Sequence, residues 1–213
     1  MKKKSVALLV AVVMLFGVAV GSTVAWLRTE TGNVVNTFTV GNINIDLKEH
    51  DYVLASDSLD KTKEVTEEKE YKMVPGDTLP KDPFVRVKAN SEDCWVFVTV
   101  TKSSNFNTFM EFEIDGSKWE LVETNENTTV YRYKTIVSTK TEDQLFYILK
   151  DNQVVVKTSV TKTQLDALTE ATYPTLTFKA YAVQSDNLVA ADGTSIEDTN
   201  ASAIWAIAKT ADN

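Results

Sequence analysis

The stretch DCWVFVTV, residues 93–100, has no side that water could wet. Cys94, Val96, Val98 and Val100 share one parity, and Trp95 and Phe97 share the other. A β-strand sends successive side chains to opposite faces, so both faces of this strand must be covered. The segment therefore belongs in the middle of a sheet, with further layers packed above and below it. Cys94 reads as a small core residue, because apolar burial raises a thiol's pKa and makes it unreactive. It is the only cysteine of the 213 residues, so no intramolecular disulfide can form.

Two-residue alternation in short runs bounded by polar turns continues along the chain. In NTFTVGNINIDL, Phe38 and Val40 share a face, and Ile43, Ile45 and Leu47 take the opposite parity. The phase flips at Gly41-Asn42, where a bulge fits. Residues 60–72, DKTKEVTEEKEYK, carry the mixed charge of a solvated edge strand or loop. Pro75-Gly76 marks a turn, and Pro80 and Pro83 keep the following approach extended. Further strands are predicted at 84–89, 109–114, 119–122, 129–137, 145–149, 154–160 and 175–184. Two short helices are predicted. One covers about 163–169, with Leu165 and Leu168 on a face. The other covers about 200–209, with Ala201, Ile204, Trp205 and Ala208 as its apolar stripe and Asp198 or Thr199 as its cap. This pattern is all-β: a jelly-roll-like β-sandwich with two short helices.

The N-terminus has the layout of an export signal, a signal helix over residues 1–25. Lys2, Lys3 and Lys4 precede an apolar run from Val6 to Val20, and Thr23-Val24-Ala25 supplies small residues before a cut between Ala25 and Trp26. The rival is an uncleaved anchor over Val6 to Leu27, long enough to span a bilayer. Either way the lysines stay inside and the remainder is extracytoplasmic. Residues 26–37 then form an N-terminal segment, and 38–213 the sandwich domain. In the segment, Leu27, Thr29, Thr31, Asn33 and Val35 are compatible with an extended strand and Trp26 is a candidate anchor, whereas Gly32 weakens a strand.

Formal charge is −8, and an acidic body repels phosphate backbones, so nucleic acid is not an expected partner. The single histidine, His50, cannot furnish the two-histidine helix of a zincin. Lys48-Glu49-His50-Asp51 reads as an exposed turn at a strand end. No G-x-S-x-G and no phosphate-cradling glycine loop occurs. Asp186, Asp192, Gly193 and Asp198 lie in a polar loop without EF-hand spacing. No motif calls for a catalytic residue, a metal or a cofactor, and an enzyme is not expected.

Several blocks nonetheless resemble the TasA/camelysin family of exported bacterial matrix proteins. They are STVAWL after a lysine-headed signal, NTFTVGNINIDL, VPGDTLPKDPFVRVKANSEDCWVFVTV, and KAYAVQSDNL followed by the late Trp205. The resemblance implies cleavage by a dedicated signal peptidase and a jelly-roll domain in the biofilm matrix or at the cell surface. It also implies self-association into fibres, with the freed segment around Trp26, Leu27, Thr29, Thr31 and Val35 pairing as a donor strand with the next subunit. An accessory matrix protein is a further implied partner. Some members are described as metal-dependent peptidases, a label that no motif here supports. The other alternative is a surface adhesin that does not polymerise.

Overall fold

The computed structural model describes residues 42–53, 55–56, 58–66 and 70–212. Residues 1–25 and 26–37, the cut site at Ala25 and Trp26, and the Phe38–Val40 face all lie outside the described residues. The described chain is mostly β-structure, arranged in three antiparallel sheets. The first sheet has the order β10-β4-β1-β2: β1 is Ile45–Val53, β2 Ser58–Val65, β4 Phe84–Val87 and β10 Gln144–Tyr147. The second has the order β12-β5-β8-β7: β5 is Ser91–Lys102, β7 Trp119–Asn125, β8 Thr128–Tyr133 and β12 Leu176–Gln184. β9, Val137–Thr139, adds to β5 beyond the end of β8. The third is small: β3, Thr78–Pro80, and β6, Met110–Glu111, flank β11, Gln153–Val156.

The first two sheets pack face to face in a sandwich-like core. Val85, Val87 and Phe146 from one meet Cys94, Val96, Val98, Trp119 and Val137 from the other. Burying side chains of this size contributes about 1.5–3 kcal/mol each. The Trp119 indole N–H donates to the Tyr147 carbonyl at 2.8 Å, tying the two sheets together. The small sheet has its own cluster, with Leu79, Phe106, Met110, Val154 and Val156 at its centre.

β5 is central, as its composition requires. Cys94, Val96 and Val98 face the intersheet core, while Trp95 and Phe97 face a second cluster. That cluster is closed by a C-terminal helix, Ala201–Ala208, whose Ile204, Trp205 and Ala208 are buried. We label the helices α1, Phe106–Phe109, α2, Lys162–Asp166, and α3, Ala201–Ala208. The cap of α3 is Asn200, whose side chain accepts from the Ala203 N–H at 3.1 Å, and neither Asp198 nor Thr199. Asp198 is engaged elsewhere: its carboxylate faces the Trp95 indole N–H at 3.4 Å, and its carbonyl accepts from Arg132 at 2.6 Å.

Two predicted strands come out differently. Residues 109–114 begin as the end of α1, continue as the two residues of β6 and finish in an isolated bridge at Ile114. Residues 129–137 divide into β8 and β9 around a bend, because both must reach the same long neighbour, β5. Pro75-Gly76 does form a turn, with Gly76 at φ 88°, a conformation that glycine adopts without strain.

Candidate functional site

An unpaired strand edge is the feature most able to bind another chain, since its N–H and C=O groups are already aligned for pairing. Natural edges are blunted by charge, by bulges or by shortness. β2 carries Asp60, Lys61, Lys63 and Glu64, and its register with β1 breaks at His50/Asp51. β7 carries Glu120 and Glu123 and shifts register between Leu121 and Glu123. β10, β3 and β6 have four, three and two residues.

β12 is different. It pairs with β5 at nine consecutive positions, from Leu176 opposite Lys102 to Gln184 opposite Cys94, without a bulge. Among the described residues it has no strand on its other side. Its single charge is Lys179. Phe178, Ala180 and Ala182 point into the sandwich but are only half-buried. Across from them, β1 and the residue pair before it contribute Ile43, Ile45 and Leu47, also half-buried. These two rows line the side of the sandwich where β12 stops.

The seam has distinct ends. At one, Glu49 continues the β1 row, and the Lys81 ammonium lies 2.7 Å from its carboxylate. Lys81 also sits 6.0 Å from the Phe178 ring and 5.2 Å from that of Tyr71. Burial pushes the Tyr71 hydroxyl well above its ordinary pKa, with the nearby Glu49 and Asp82 charges adding to the effect. At the other end, the Asn42 carbonyl accepts from the Glu92 N–H at 3.1 Å, and the Asn44 N–H donates to Ser91 Oγ at 3.1 Å. The described chain thus begins beside the start of β5, near the position where Gln184 ends the β12 ladder.

Next to the polar end, His50 and Asp82 form a buried pair. His50 is 7% and Asp82 2% exposed. Asp82 Oδ1 accepts from the His50 main-chain N–H at 3.0 Å, and Oδ2 lies 2.6 Å from Nδ1. The ring packs on Phe84, with centroids 5.4 Å apart. The expected exposed turn at Lys48–Asp51 is therefore a correction: these residues lie within β1, and His50 points inward. Its charged neighbours in sequence masked a partner 32 residues away.

A histidine held by a carboxylate is part of an acyl-transfer relay, but the relay also needs a nucleophile at hydrogen-bond distance. Cys94 does not fill that role. It is wholly buried in the intersheet core, and burial raises its thiol to about 11. Among the described residues, no group of three His, Cys, Asp or Glu side chains is placed to hold a metal ion.

The loop acids are dispersed. Asp192 accepts from the Thr194 N–H in a local turn, and Asp198 belongs to the Trp95–Arg132 contact. The candidate contact residues Trp26, Leu27, Thr29, Thr31 and Val35 lie outside the described residues, as do Ala25 and the cut that follows it. The β12 seam and the His50–Asp82 pair were not singled out from sequence. The signal available for the seam was the low charge and unbroken alternation of LTFKAYAVQ.

No protein-family model, curated protein or solved structure matches this chain.

Proposed function

We propose that this chain is an exported structural protein of the TasA/camelysin type, a subunit of an extracellular matrix or surface filament. On this reading the two facing sheets form a jelly roll, and cleavage after Ala25 frees residues 26–37. That segment from one copy adds as a strand along β12 of the next. The observation carrying the reading is the β12 edge: nine ladder positions, no bulge, one charge and a half-buried apolar row behind it. An added strand would hydrogen-bond along the edge and cover that row, which is the physical basis of strand addition. A head-to-tail contact of this kind does not close on itself and builds a filament.

The test compares chains beginning at Trp26 and at Asn36 by negative-stain microscopy and light scattering. Fibres from the longer chain and a monodisperse shorter chain support the proposal. If neither assembles, strand exchange fails for this chain alone, and the non-polymerising adhesin or accessory reading replaces it. Casein hydrolysis that a chelator and His50→Ala both abolish would favour the peptidase alternative.

A further inference from the structure

Lys81 follows the last residue of β3 and carries that strand's pairing one step further. Pro80 stands opposite Gln153 of β11, and the Lys81 N–H donates to the Asn152 carbonyl at 2.9 Å. Lys81 and Asn152 are therefore cross-strand neighbours, and residues so placed have Cβ atoms about 4.5–5.5 Å apart. A lysine's four-carbon stem covers that gap. Asn152 has φ 52°, and Asp151 before it has φ 54°. Two successive non-glycine residues in the left-handed region are strained, and such strain persists only where the surroundings fix it.

Two enclosed side-chain atoms, Tyr71 Oη and Asn152 Oδ1, have no hydrogen-bond partner among the described residues. Both belong to neighbours of Lys81. An enclosed polar atom left unpaired is unfavourable, and native folds seldom keep one without a reason. The Lys81 ammonium meets the Glu49 carboxylate at 2.7 Å, with both side chains largely buried. The rings of Tyr71 and Phe178 stand 5.2 Å and 6.0 Å from Nζ. An amine, a carboxylate and a strained carboxamide thus adjoin one another in a sheltered place.

An amine that yields its proton to a neighbouring carboxylate becomes a nucleophile. We infer that Lys81 and Asn152 form an intramolecular isopeptide bond, with Glu49 as the proton carrier. The ammonium passes a proton to Glu49, and the freed Nζ attacks Asn152 Cγ. Glu49 hands that proton to Nδ2 and takes the second one that Nζ must lose. The Nζ–Cγ bond forms, the Cγ–Nδ2 bond breaks, and Nδ2 leaves as ammonia. No oxidant or further reactant is consumed. Glu49 ends protonated and supplies a donor for Oδ1, the atom that has none. In the structure Nζ is turned to Glu49 and makes no hydrogen bond to Oδ1, the arrangement that precedes proton transfer. The bond ties the end of β3 to the turn before β11, across a ladder of three pairs. It forms within one chain and is independent of strand exchange.

The test is the intact mass and peptide map of the full chain. Lys81→Arg, Glu49→Gln and Asn152→Gly are measured beside it, with circular dichroism confirming each fold. Glycine is chosen at 152 because it adopts the left-handed conformation without strain. Wild type is expected one ammonia below the mass calculated for its N-terminus, with a branched peptide joining Lys81 to Asn152. Each variant is expected at its calculated mass, without that peptide. A folded wild type at its full mass with no branched peptide overturns the inference, and Lys81 is then an ion-pair partner of Glu49 alone. A lost ammonia that persists in Lys81→Arg is a succinimide on an asparagine and overturns it equally. A branched peptide that survives Glu49→Gln overturns the role given to Glu49.

Discussion

Replacing Asp82 by alanine removes the carboxylate that receives both the main chain and the ring of His50. Both residues are buried, so water cannot take over the lost contacts. Two hydrogen bonds are affected, at 3.0 Å and 2.6 Å. A hydrogen bond to a charged group contributes about 1.5–3 kcal/mol, and each one lost here leaves a buried polar group of His50 without its partner. The expected loss for Asp82→Ala is therefore about 3–5 kcal/mol. With a urea slope of about 2 kcal/mol/M, the unfolding midpoint falls by roughly 2 M. Asp82→Asn keeps an acceptor for the His50 N–H and is expected to lose about half as much. His50→Leu combined with Asp82→Leu strands no polar side chain, and its loss is expected to be smaller than that of Asp82→Ala. An Asp82→Ala midpoint within about 0.3 M of wild type, which is under 1 kcal/mol at that slope, would refute the reasoning. So would a double variant as unstable as the two single losses added together, since residues in contact couple and distant ones do not.

Three further outcomes follow from other contacts. Glu64 is held at about 2 by the Arg86 guanidinium first, with Lys48 assisting, so its folded-state pKa is depressed. Its contribution is present above about pH 4.5 and is lost as pH falls toward 2. Because the pair is at the surface, the loss is about 0.5–1 kcal/mol, read as a flatter acid limb of the pH–stability curve in Glu64→Gln. Cys94, raised to about 11 by burial, is expected to resist thiol reagents in the native protein at pH 8 and to react fully in denaturant; prompt native labelling would contradict its placement. Asn200→Ala removes the cap of α3 and is expected to cost about 1 kcal/mol in thermal or urea unfolding, with Asn200→Asp close to neutral.

What the sequence made legible depended on whether a signal was local. β5 was plain because seven adjacent residues satisfy both faces at once, and the stripe of α3 was plain because its spacing repeats over two turns. The α3 cap was misplaced by one or two positions, since Asp198, Thr199 and Asn200 are all competent caps. Only the Trp95 and Arg132 contacts of Asp198 separate them. The four residues of α1 are too few to show helical periodicity. His50 misled because three charged neighbours suggest a wet turn, while Asp82 is remote in sequence. The seam was least legible of all. Its rows come from opposite ends of the domain, Ile43 to Leu47 and Phe178 to Ala182, and neither segment alone reveals that the other lies across from it.

The C-terminal helix also has a bearing on how the chain is made. The outer face of β5 exposes Trp95 and Phe97 until residues 201–208 arrive to cover them. Asp198, which receives the Trp95 indole, comes 103 residues later in the chain. During synthesis the outer face of this strand therefore stays open until α3 has emerged. A ribosome that stops before Ala201 would release a body with a bare aromatic stripe, the kind of surface that chaperones bind and that aggregates in their absence. Helix α3 thus decides whether that stripe is covered.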